Sequence, residues 1–404
     1  MSQLKLITIS GPDRPGITMT VTGLLGRHDV DVLDIGQSVI HDQLSLGILI
    51  SQPVAGDRNE DVMPALERSC RQLGVSVSVT SVTEESYNEW VDLQGASRYI
   101  LTLLARRIKA SHVAAVTSVI AAHSLNIDNI TRLSGRVPLV ETDETTKACV
   151  EFSLKGTPDE SFREQLLALC ADLDIDVALQ EDSIFRRNRR LIAFDMDSTL
   201  IRTEVIDELA ILAGVGDEVA AITERAMHGE LDFSQSLAQR VSLLKGLKES
   251  ALAEVAAALP LSEGVEHLFQ ILNRLGYKTA VLSGGFDYFG KVLQQKLGID
   301  YVFANRLEIV DGELTGRVIP PVVDAARKAD LLRDIAKKEG ILMQQTIAVG
   351  DGANDLAMLD AAGLGIAFHA KPLVRESAGH SISNLGLDSL LYLMGFRDRD
   401  GEVL

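Results

Sequence analysis

Two carboxylates follow an apolar run in the middle of the sequence. Asp195 and Asp197 come directly after the run 191–194 and precede Ser198 and Thr199. A short, continuous apolar run is typical of a buried parallel strand, and open α/β sheets bind ligands at the carboxyl edge of their strands. Ser198, Thr199 and the helical pattern after them predict a turn directly after the strand, which would let both acids meet one ligand. Taken alone, the pair could equally cap the next helix.

Further polar groups occupy similar positions downstream. Ser283 and Gly284 follow one apolar run, Lys328 lies early in a predicted helix, and Asp351 and Asn354 follow another run. Because parallel strands end at the same edge of a sheet, we expect these side chains to lie close together. A hydroxyl, an ammonium and two acid clusters in such positions indicate a catalytic site.

These groups are the ones that phosphate-ester hydrolysis requires. The reaction needs a nucleophile, a proton donor for the leaving oxygen and positive charge for the phosphoryl oxygens, and we interpret Asp195 and Asp197 as the first two. Ser283 and the amide of Gly284 are expected to hydrogen-bond the phosphoryl group. Lys328 is expected to balance the charge that builds up on its oxygens.

The same acids predict a site for Mg²⁺. A hard cation prefers oxygen ligands, so we assign the ion to Asp195, Asp197 and Asp351. Asp197 is expected to contribute its carbonyl, and Asp355 to make an indirect contact. Such a cation lets an anionic carboxylate approach an anionic phosphate.

The overall composition excludes several classes of partner. With 39 basic and 57 acidic residues, the chain has a formal net charge of -18, whereas nucleic acids and anionic membranes require clustered Lys and Arg. The three cysteines have no close metal-ligand spacing and are expected to be buried thiols in a reducing compartment. The first residues lack the pattern of a secretory signal, and no run approaches the length of a membrane span. We therefore expect a cytoplasmic protein.

The second half of the sequence alternates strands with helices. Strands are predicted near 191–195, 278–283, 301–304, 346–350 and 364–368. This alternation is typical of a mostly parallel, Rossmann-like sheet covered on both sides, and we assign it to a domain spanning 183–404. The segment 203–275 is helical in pattern and too long for a simple crossover, so it is predicted to be an inserted cap. A hairpin is predicted at 306–318, turning at Asp311 and Gly312.

The first half of the sequence contains a degenerate repeat. Its two copies align at 6–9 with 101–104 and at 28–32 with 123–127. Each copy predicts the order strand, helix, strand, strand, helix, strand, with the first helices at 17–27 and 112–122. The arginine-rich stretch 181–190 then leads to the second half and is interpreted as a solvated linker or helix face.

The loop 11–17 and the order of elements around it resemble the ACT domain, a small ferredoxin-like α+β module that commonly binds amino acids at paired interfaces. The resemblance implies two ACT-like domains, 1–88 and 96–182, an amino-acid effector at the first, and a homodimer. The equivalent loop of the second copy, 106–111, has no glycine that would let the backbone approach a ligand. A module that only dimerises is the alternative that these residues leave open.

The segment 195–199, Ser283, Lys328 and the segment 350–355 resemble, in order and residue type, the four motifs of the haloacid dehalogenase superfamily of aspartate-nucleophile phosphatases. The resemblance implies that Asp195 forms an aspartyl-phosphate. It also implies that the second acid of the first motif acts as an acid and then as the base for the hydrolytic water.

The cap resembles that of superfamily members that hydrolyse O-phosphoserine. This resemblance implies that Glu204 faces the substrate amino group and that Arg240 binds its carboxylate through a bidentate fork. Met227 and Phe233 are expected to close the pocket. Taken singly, Glu204 could be a first-turn acid favoured by the helix dipole, and Arg240 a solvated charge.

Two other functions compete with this one. The same fold and mechanism could serve another phosphomonoester, such as phosphothreonine, phosphohomoserine or a protein phosphoserine. Alternatively, the chain could be an amino-acid sensor whose phosphatase half is inactive. The presence of Asp195, Asp197, Lys328 and Asp351 together argues against the sensor.

Overall fold

The chain divides into two compact units. A computed structural model describes residues 2–28, 30–53, 62–95, 97–137 and 146–401. The first unit covers 1–96 and the second 97–404. Within the described residues, no helix has the length and apolar character needed to cross a membrane.

The first unit is a four-stranded antiparallel sheet with helices on one face. Its elements are β1 (Ser2–Pro12), α1 (Ile17–Gly26), β2 (Asp31–Ile40), β3 (Gln43–Pro53), α2 (Met63–Leu73), β4 (Ser76–Val82) and α3 (Glu84–Asp92), followed by a 3₁₀ turn at Leu93–Gly95. The strand order is β2-β3-β1-β4. Alternate residues of β1 and β3, such as Ile7 and Ile48, pack against Val21 of α1 and Leu66 of α2. The predicted order of elements is present.

The second unit begins with a sheet of the same topology. Its elements are β5 (Arg98–Ala105), α4 (Ala110–Ala122), β6 (Asn126–Arg132), β7 (Ala148–Lys155), α5 (Glu160–Leu173) and β8 (Asp176–Glu181), in the sheet order β6-β7-β5-β8. Helices α4 and α5 cover one face. The other face packs against the last part of the chain, where Gln180 donates a hydrogen bond to the carbonyl of Leu393 at 2.9 Å.

The connection out of this sheet differs from the expectation. Arg186 is 1% exposed and lies 3.0 Å from Oε1 of Glu151, and Arg189 donates to the carbonyl of Gln344. The prediction of a solvated face for 181–190 is therefore wrong for these two arginines. They are buried because they pack against the small sheet and the large domain, Arg186 at Glu151 and Arg189 at Gln344.

The large domain is built on a seven-stranded sheet. Its strands are β9 (Leu191–Phe194), β10 (Lys278–Phe286), β11 (Tyr301–Val310), β12 (Glu313–Ile319), β13 (Thr346–Gly350), β14 (Leu364–Phe368) and β15 (Ser381–Ile382). Their order is β12-β11-β10-β9-β13-β14-β15, parallel except for β12. Successive residues of β9 face opposite sides, with Phe194 in one hydrophobic core and Ala193 in the other. Burial on both faces explains why β9, β13 and β14 are continuous apolar runs.

The large domain also contains helices, some packed on the faces of the sheet and some in the cap. They are α6 (Val205–Ala213), α7 (Gly216–Met227), α8 (Phe233–Leu243), α9 (Ser250–Ala258), α10 (Val265–Arg274), α11 (Asp287–Leu297), α12 (Ala325–Lys338), α13 (Leu356–Ala361), α14 (Pro372–Ser377), α15 (Leu390–Leu393) and α16 (Asp398–Gly401), with 3₁₀ turns at Met343–Gln345, Ala353–Asp355 and Leu387–Ser389. Helices α6 to α9 form the cap, whose two connections meet in a bridge between Ile201 and Leu261. The predicted cap, 203–275, also takes in α10, which contacts α11 and β10 of the core.

The predicted hairpin is the continuation of a core strand. β11 runs on to Val310, and Asp311 and Gly312, both with positive φ (53° and 79°), form the turn into β12. Positive φ at both positions is what a tight two-residue hairpin requires, and the Asp-Gly pair tolerates it.

Candidate active site

The carboxyl ends of three adjacent strands meet at one cavity. β9 lies between β10 and β13. Asp195 directly follows β9, Asp351 directly follows β13, and Ser283 lies in the carboxyl-terminal half of β10. The cavity has a volume of about 470 Å³ and is closed from the other side by the cap. Its lining includes Asp195, Asp197, Glu204, Phe233, Ser236, Arg240, Ser283, Gly284, Asp351 and Asn354.

A tight turn follows β9, as the two acids require. The amides of Leu200 and Ile201 both donate to the carbonyl of Met196, at 2.9 and 3.1 Å. The chain therefore folds back on itself within a few residues of the strand. Asp195, directly after the strand, and Asp197, within the turn, both line the cavity.

A buried lysine joins two of the acids. Nζ of Lys328 lies 2.9 Å from Oδ2 of Asp195 and 2.6 Å from Oδ1 of Asp355, and the lysine side chain is fully buried. Burial by itself lowers the pKa of the Lys328 ammonium, but the two carboxylates outweigh it and the net shift is upward. Lys328 is therefore a permanent cation in this site. α12 places it there, and Asp324 caps that helix by accepting from the amide of Arg327 at 2.8 Å.

Three carboxylates form a candidate cation site. Oxygens of Asp195, Asp351 and Asp355 all lie within 4.8 Å of one another. Burial, followed by the charges of Asp195 and Asp355, raises the pKa of Asp351 to about 8, although the hydroxyl of Thr199 donates to its Oδ1 at 3.1 Å. Acids that resist ionisation together fit a divalent cation, which would offset their charges, and an all-oxygen donor set suits a hard ion. The sequence predicts only an indirect contact between Asp355 and the ion, whereas in the structure the carboxylate of Asp355 belongs to the cluster.

Asp197 stands apart from that cluster. Its Oδ1 accepts a hydrogen bond from the amide of Val205 at 3.1 Å, where α6 begins. Burial raises the pKa of Asp197 well above its ordinary value, and the charges of Glu204 and Asp195 raise it further. The raised pKa helps this carboxyl group to hold a proton, which suits it to act as a general acid.

The segment after Ser283 is shaped by glycines. Oγ of Ser283 accepts a hydrogen bond from the amide of Gly285 at 2.9 Å, and the serine is fully buried. A methyl group on Gly285 would overlap Oδ2 of Asp197, and one on Gly284 would lie 2.8 Å from Cζ of Phe233. Only glycine therefore allows this backbone to approach both the acid and the cap.

The cap supplies a second set of polar groups. Oε1 of Glu204 accepts from Oγ of Ser198 at 3.0 Å, and burial raises the pKa of Glu204. Arg240 comes from α8, and its Nε is buried without a hydrogen-bond partner among the described residues. Phe233 begins the same helix. Met227 ends α7, but its side chain lies outside the described part of the chain.

The structure thus brings together Asp195, Asp197, Glu204, Phe233, Arg240, Ser283, Gly284, Lys328, Asp351 and Asn354 around one cavity or in direct contact with its lining. Sequence analysis overlooked two contributors. Thr199 lies within the first motif, and its position beside the acids could have suggested the bond to Asp351. Asn305 is buried beside Gly284, and no motif pointed to it.

Two family descriptions match the chain. The haloacid dehalogenase-like hydrolase family matches residues 189–363, which contain the cavity and its cap. The ACT domain family matches residues 3–80, within the first unit.

Individual relatives extend these matches. The chain is 41% identical over 398 residues to a phosphoserine phosphatase of Streptomyces coelicolor, covering 98% of this chain and 93% of the relative. It is 50% identical over 234 residues to a phosphoserine phosphatase of Archaeoglobus fulgidus, covering 57% and 68% respectively. The crystal structure of a probable phosphoserine phosphatase from Vibrio cholerae, in unliganded form, superposes with a TM-score of 0.59 at 36% identity, covering 77% of this chain and 90% of that one.

Proposed function

This chain belongs to the phosphoserine phosphatases of the haloacid dehalogenase superfamily, and we propose which of its residues carry the reaction. It is a phosphoric monoester hydrolase that converts O-phospho-L-serine to L-serine and phosphate through an aspartyl-phosphate, the last step of serine biosynthesis. We assign the nucleophile to Asp195. A carboxylate oxygen of Asp195 attacks phosphorus while the bond from phosphorus to the serine oxygen breaks.

Asp197 is the proposed acid and base. Because its pKa is raised, the Asp197 carboxyl group can hold the proton that it gives to the departing serine oxygen in the first step. In the second step the Asp197 carboxylate takes a proton from water, whose oxygen attacks phosphorus and releases the carboxylate of Asp195. The acid and the base are one group, so Asp197 ends the cycle protonated as it began.

Four residues are proposed to hold the phosphoryl group. Ser283, the amide of Gly284 and the side-chain amide of Asn354 offer neutral hydrogen-bond donors, and Lys328 offers a charge. The ion pair between Lys328 and Asp195 supports this role, because it places the ammonium beside the oxygen that attacks.

We propose that Mg²⁺ binds at the carboxylates of Asp195, Asp351 and Asp355, together with the backbone carbonyl of Asp197 that sequence analysis assigned. When bound, it would reduce the repulsion between the nucleophile and the phosphate dianion. Burial and the charge of Asp195 raise the pKa of both Asp351 and Asp355, and this supports a cation here.

Glu204 and Arg240 are the proposed determinants of substrate choice. The buried Nε of Arg240 without a partner is the observation that carries this assignment, because an unpaired buried donor is costly unless a ligand completes it. A substrate carboxylate would do so through the guanidinium fork, while Glu204 attracts the ammonium. Phe233, and by the family resemblance Met227, exclude water from the closed pocket.

The assignment of the nucleophile is tested by phosphate release from O-phospho-L-serine with Mg²⁺. The intact chain should release phosphate, and both Asp195→Asn and the parent in EDTA should not. Asp159→Asn, which alters the N-cap of α5 in the second small domain, serves as the matched control and should remain active. Undiminished release by Asp195→Asn would contradict the assignment.

Substrate choice is tested with Arg240→Ala. The variant should lose phosphoserine turnover by roughly a hundredfold, because a bidentate charged contact of about 3 kcal/mol is lost. Turnover of phosphoethanolamine, which has no carboxylate, should change little. Equal losses on both substrates, or rapid turnover of a phosphopeptide by the parent, would favour a less specific phosphatase.

We propose two ACT-like domains, 1–88 and 96–182, with an amino-acid effector at the first. A cavity of about 340 Å³ borders the loop that contains Arg14 and Gly16, beside a hydrogen bond of 2.9 Å from Thr18 to Gln37. Calorimetric titration of L-serine into Arg240→Ala, whose substrate pocket is impaired, should still show binding. That binding should disappear when Gly16→Val is added to this variant, because the backbone φ of 94° at Gly16 disfavours a side chain. Unchanged binding would leave this domain a dimerisation module.

A homodimer is the proposed assembly. All residues of the edge strand β2 are exposed, including Ile35 at 49% and Ile40 at 76%. An exposed apolar edge strand is a template for pairing with another strand. In analytical ultracentrifugation the parent should sediment as a dimer and Ile35→Lys as a monomer. Met19→Lys, which changes an exposed residue on α1, is the control.

We propose a cytoplasmic location. Cys70, Cys149 and Cys170 are free and buried, and burial raises the pKa of the Cys170 thiol to about 12. Protonated, inaccessible thiols fit a reducing compartment. Cell fractionation should recover the protein with a cytosolic marker. Recovery with membranes or in the medium would contradict the proposal.

A further inference from the structure

Asn305 is a fully buried polar residue beside the active site that the proposed reaction does not use. It lies in β11, the neighbour of β10, and its side chain is 0% exposed. A buried amide must find partners for its donors and acceptor, or it destabilises the fold. Both of its partners are backbone groups of active-site segments.

The first partner lies in the phosphoryl-binding segment. The β10–β11 ladder pairs Leu282 with Phe303 and then Phe286 with Asn305, so β10 has extra residues that bulge out of the ladder. The bulge contains Ser283 and Gly284. Nδ2 of Asn305 donates to the carbonyl of Gly284 at 2.8 Å and replaces the ladder bond that the bulge breaks.

The second partner lies in the segment that leads to the lysine. Oδ1 of Asn305 accepts a hydrogen bond from the amide of Val323 at 2.8 Å. Val323 precedes Asp324, the N-cap of α12, and Lys328 lies in the first turns of that helix. One side chain therefore fixes the distance between the bulge of β10 and the start of α12.

We propose that Asn305 is a positioning residue that holds the Ser283 hydroxyl and the Lys328 ammonium in register around the phosphoryl group. The proposal rests on the proposed roles of those two residues. Asn305 is not among the residues that line the cavity. Without it, the two segments that hold phosphate lose their common support, whereas the cap residues that recognise the amino acid are unaffected.

The test compares Asn305→Ala with Asn273→Ala, each in the full chain with Mg²⁺. Asn273 also supports backbone, donating to the carbonyl of Leu297 at 2.7 Å, but it lies in α10 and links that helix to the end of α11. We expect Asn305→Ala to lower kcat by between about tenfold and a hundredfold, because small displacements of positioned groups have effects of that size. Inorganic phosphate should inhibit it roughly fivefold more weakly, whereas inhibition by L-serine should not change. Asn273→Ala should match the parent in all three measurements.

The inhibition constants separate positioning from loss of folded protein, because a smaller folded fraction lowers the rate but leaves both inhibition constants unchanged. Unchanged phosphate inhibition in Asn305→Ala, or equal weakening for serine and phosphate, would overturn the proposal. If Asn305→Ala does not fold, Asn305→Asp carries the test, since it keeps the shape and the acceptor for Val323 but loses the amide donor to Gly284. It should also weaken phosphate inhibition selectively. A parent that releases no phosphate from phosphoserine would refute the proposed function instead.

Discussion

Replacing Lys328 with methionine removes a buried charge while nearly preserving its volume. The ammonium lies 2.9 Å from Asp195 and 2.6 Å from Asp355, and all three side chains are buried. Removing one member of a buried ion network leaves uncompensated carboxylates, which costs about 3–5 kcal/mol. For a domain of this size that loss corresponds to a fall in Tm of roughly 6–20 °C. We expect this fall for Lys328→Met without divalent cations at about pH 9.

The assay can follow the two units separately. The only tryptophan, Trp90, lies in α3 of the first unit, whereas Lys328 lies in the second. Thermal unfolding followed by circular dichroism should show the lower Tm, and unfolding followed by Trp90 fluorescence should not. Adding Mg²⁺ should recover more stability in the variant than in the parent, because the ion then supplies the missing positive charge.

A second substitution tests the cause. Lys328→Met combined with Asp355→Asn should be more stable than Lys328→Met alone, since one of the two unpaired carboxylates has been removed. A free energy of unfolding for Lys328→Met within about 1 kcal/mol of that of the parent, under metal-free conditions, would contradict the role given to this ion network. A double variant no more stable than the single one would contradict it as well.

Three further outcomes follow from the structure. Folded Asp351 keeps its proton to about pH 8 instead of its ordinary 3.8, so the folded state binds more protons between these values. The Tm of the metal-free protein should therefore fall as pH rises through that interval, and Mg²⁺ should raise Tm more at pH 8 than at pH 5. Gly285→Ala should lower kcat by roughly a hundredfold in phosphate-release assays, because its methyl group would displace the proposed acid, whereas Gly23→Ala, with open space around it, should not. Lys147→Ala should cost about 2 kcal/mol in denaturant unfolding, because it leaves Asp388 buried without its ammonium partner.

The catalytic half of the fold could be predicted because its signals are local. The central strands β9 and β13 are short apolar runs buried on both faces, and Asp195 and Asp351 follow them directly, as Ser283 follows the apolar run within β10. The positions of Asp195, Ser283 and Asp351 thus depend only on neighbours in sequence and on the general rule that parallel strands share an edge. The hairpin at Asp311 and Gly312 was predictable for the same reason.

Residues that act through distant partners could not be predicted in this way. Asn305 stands in a strand with no motif around it, and its two hydrogen-bond partners lie in other segments. Arg186 belongs to a run of arginines that is typical of solvated linkers, yet its partner Glu151 lies in β7. Tertiary packing decides the burial of such side chains, and a single sequence contains no local record of it.

The second small domain shows how one topology can serve two purposes. At the position where the first copy has the glycine-containing loop 11–17, the second has Arg106, whose guanidinium binds both carboxylate oxygens of Glu263 at 2.7 and 2.5 Å. Glu263 follows Ser262, whose amide bonds to the carbonyl of Leu200 at the base of the cap. A loop without glycine is thus a contact with the large domain. The lack of a ligand-binding sequence there and the presence of this ion pair have the same explanation: the second copy packs against the catalytic domain within one unit.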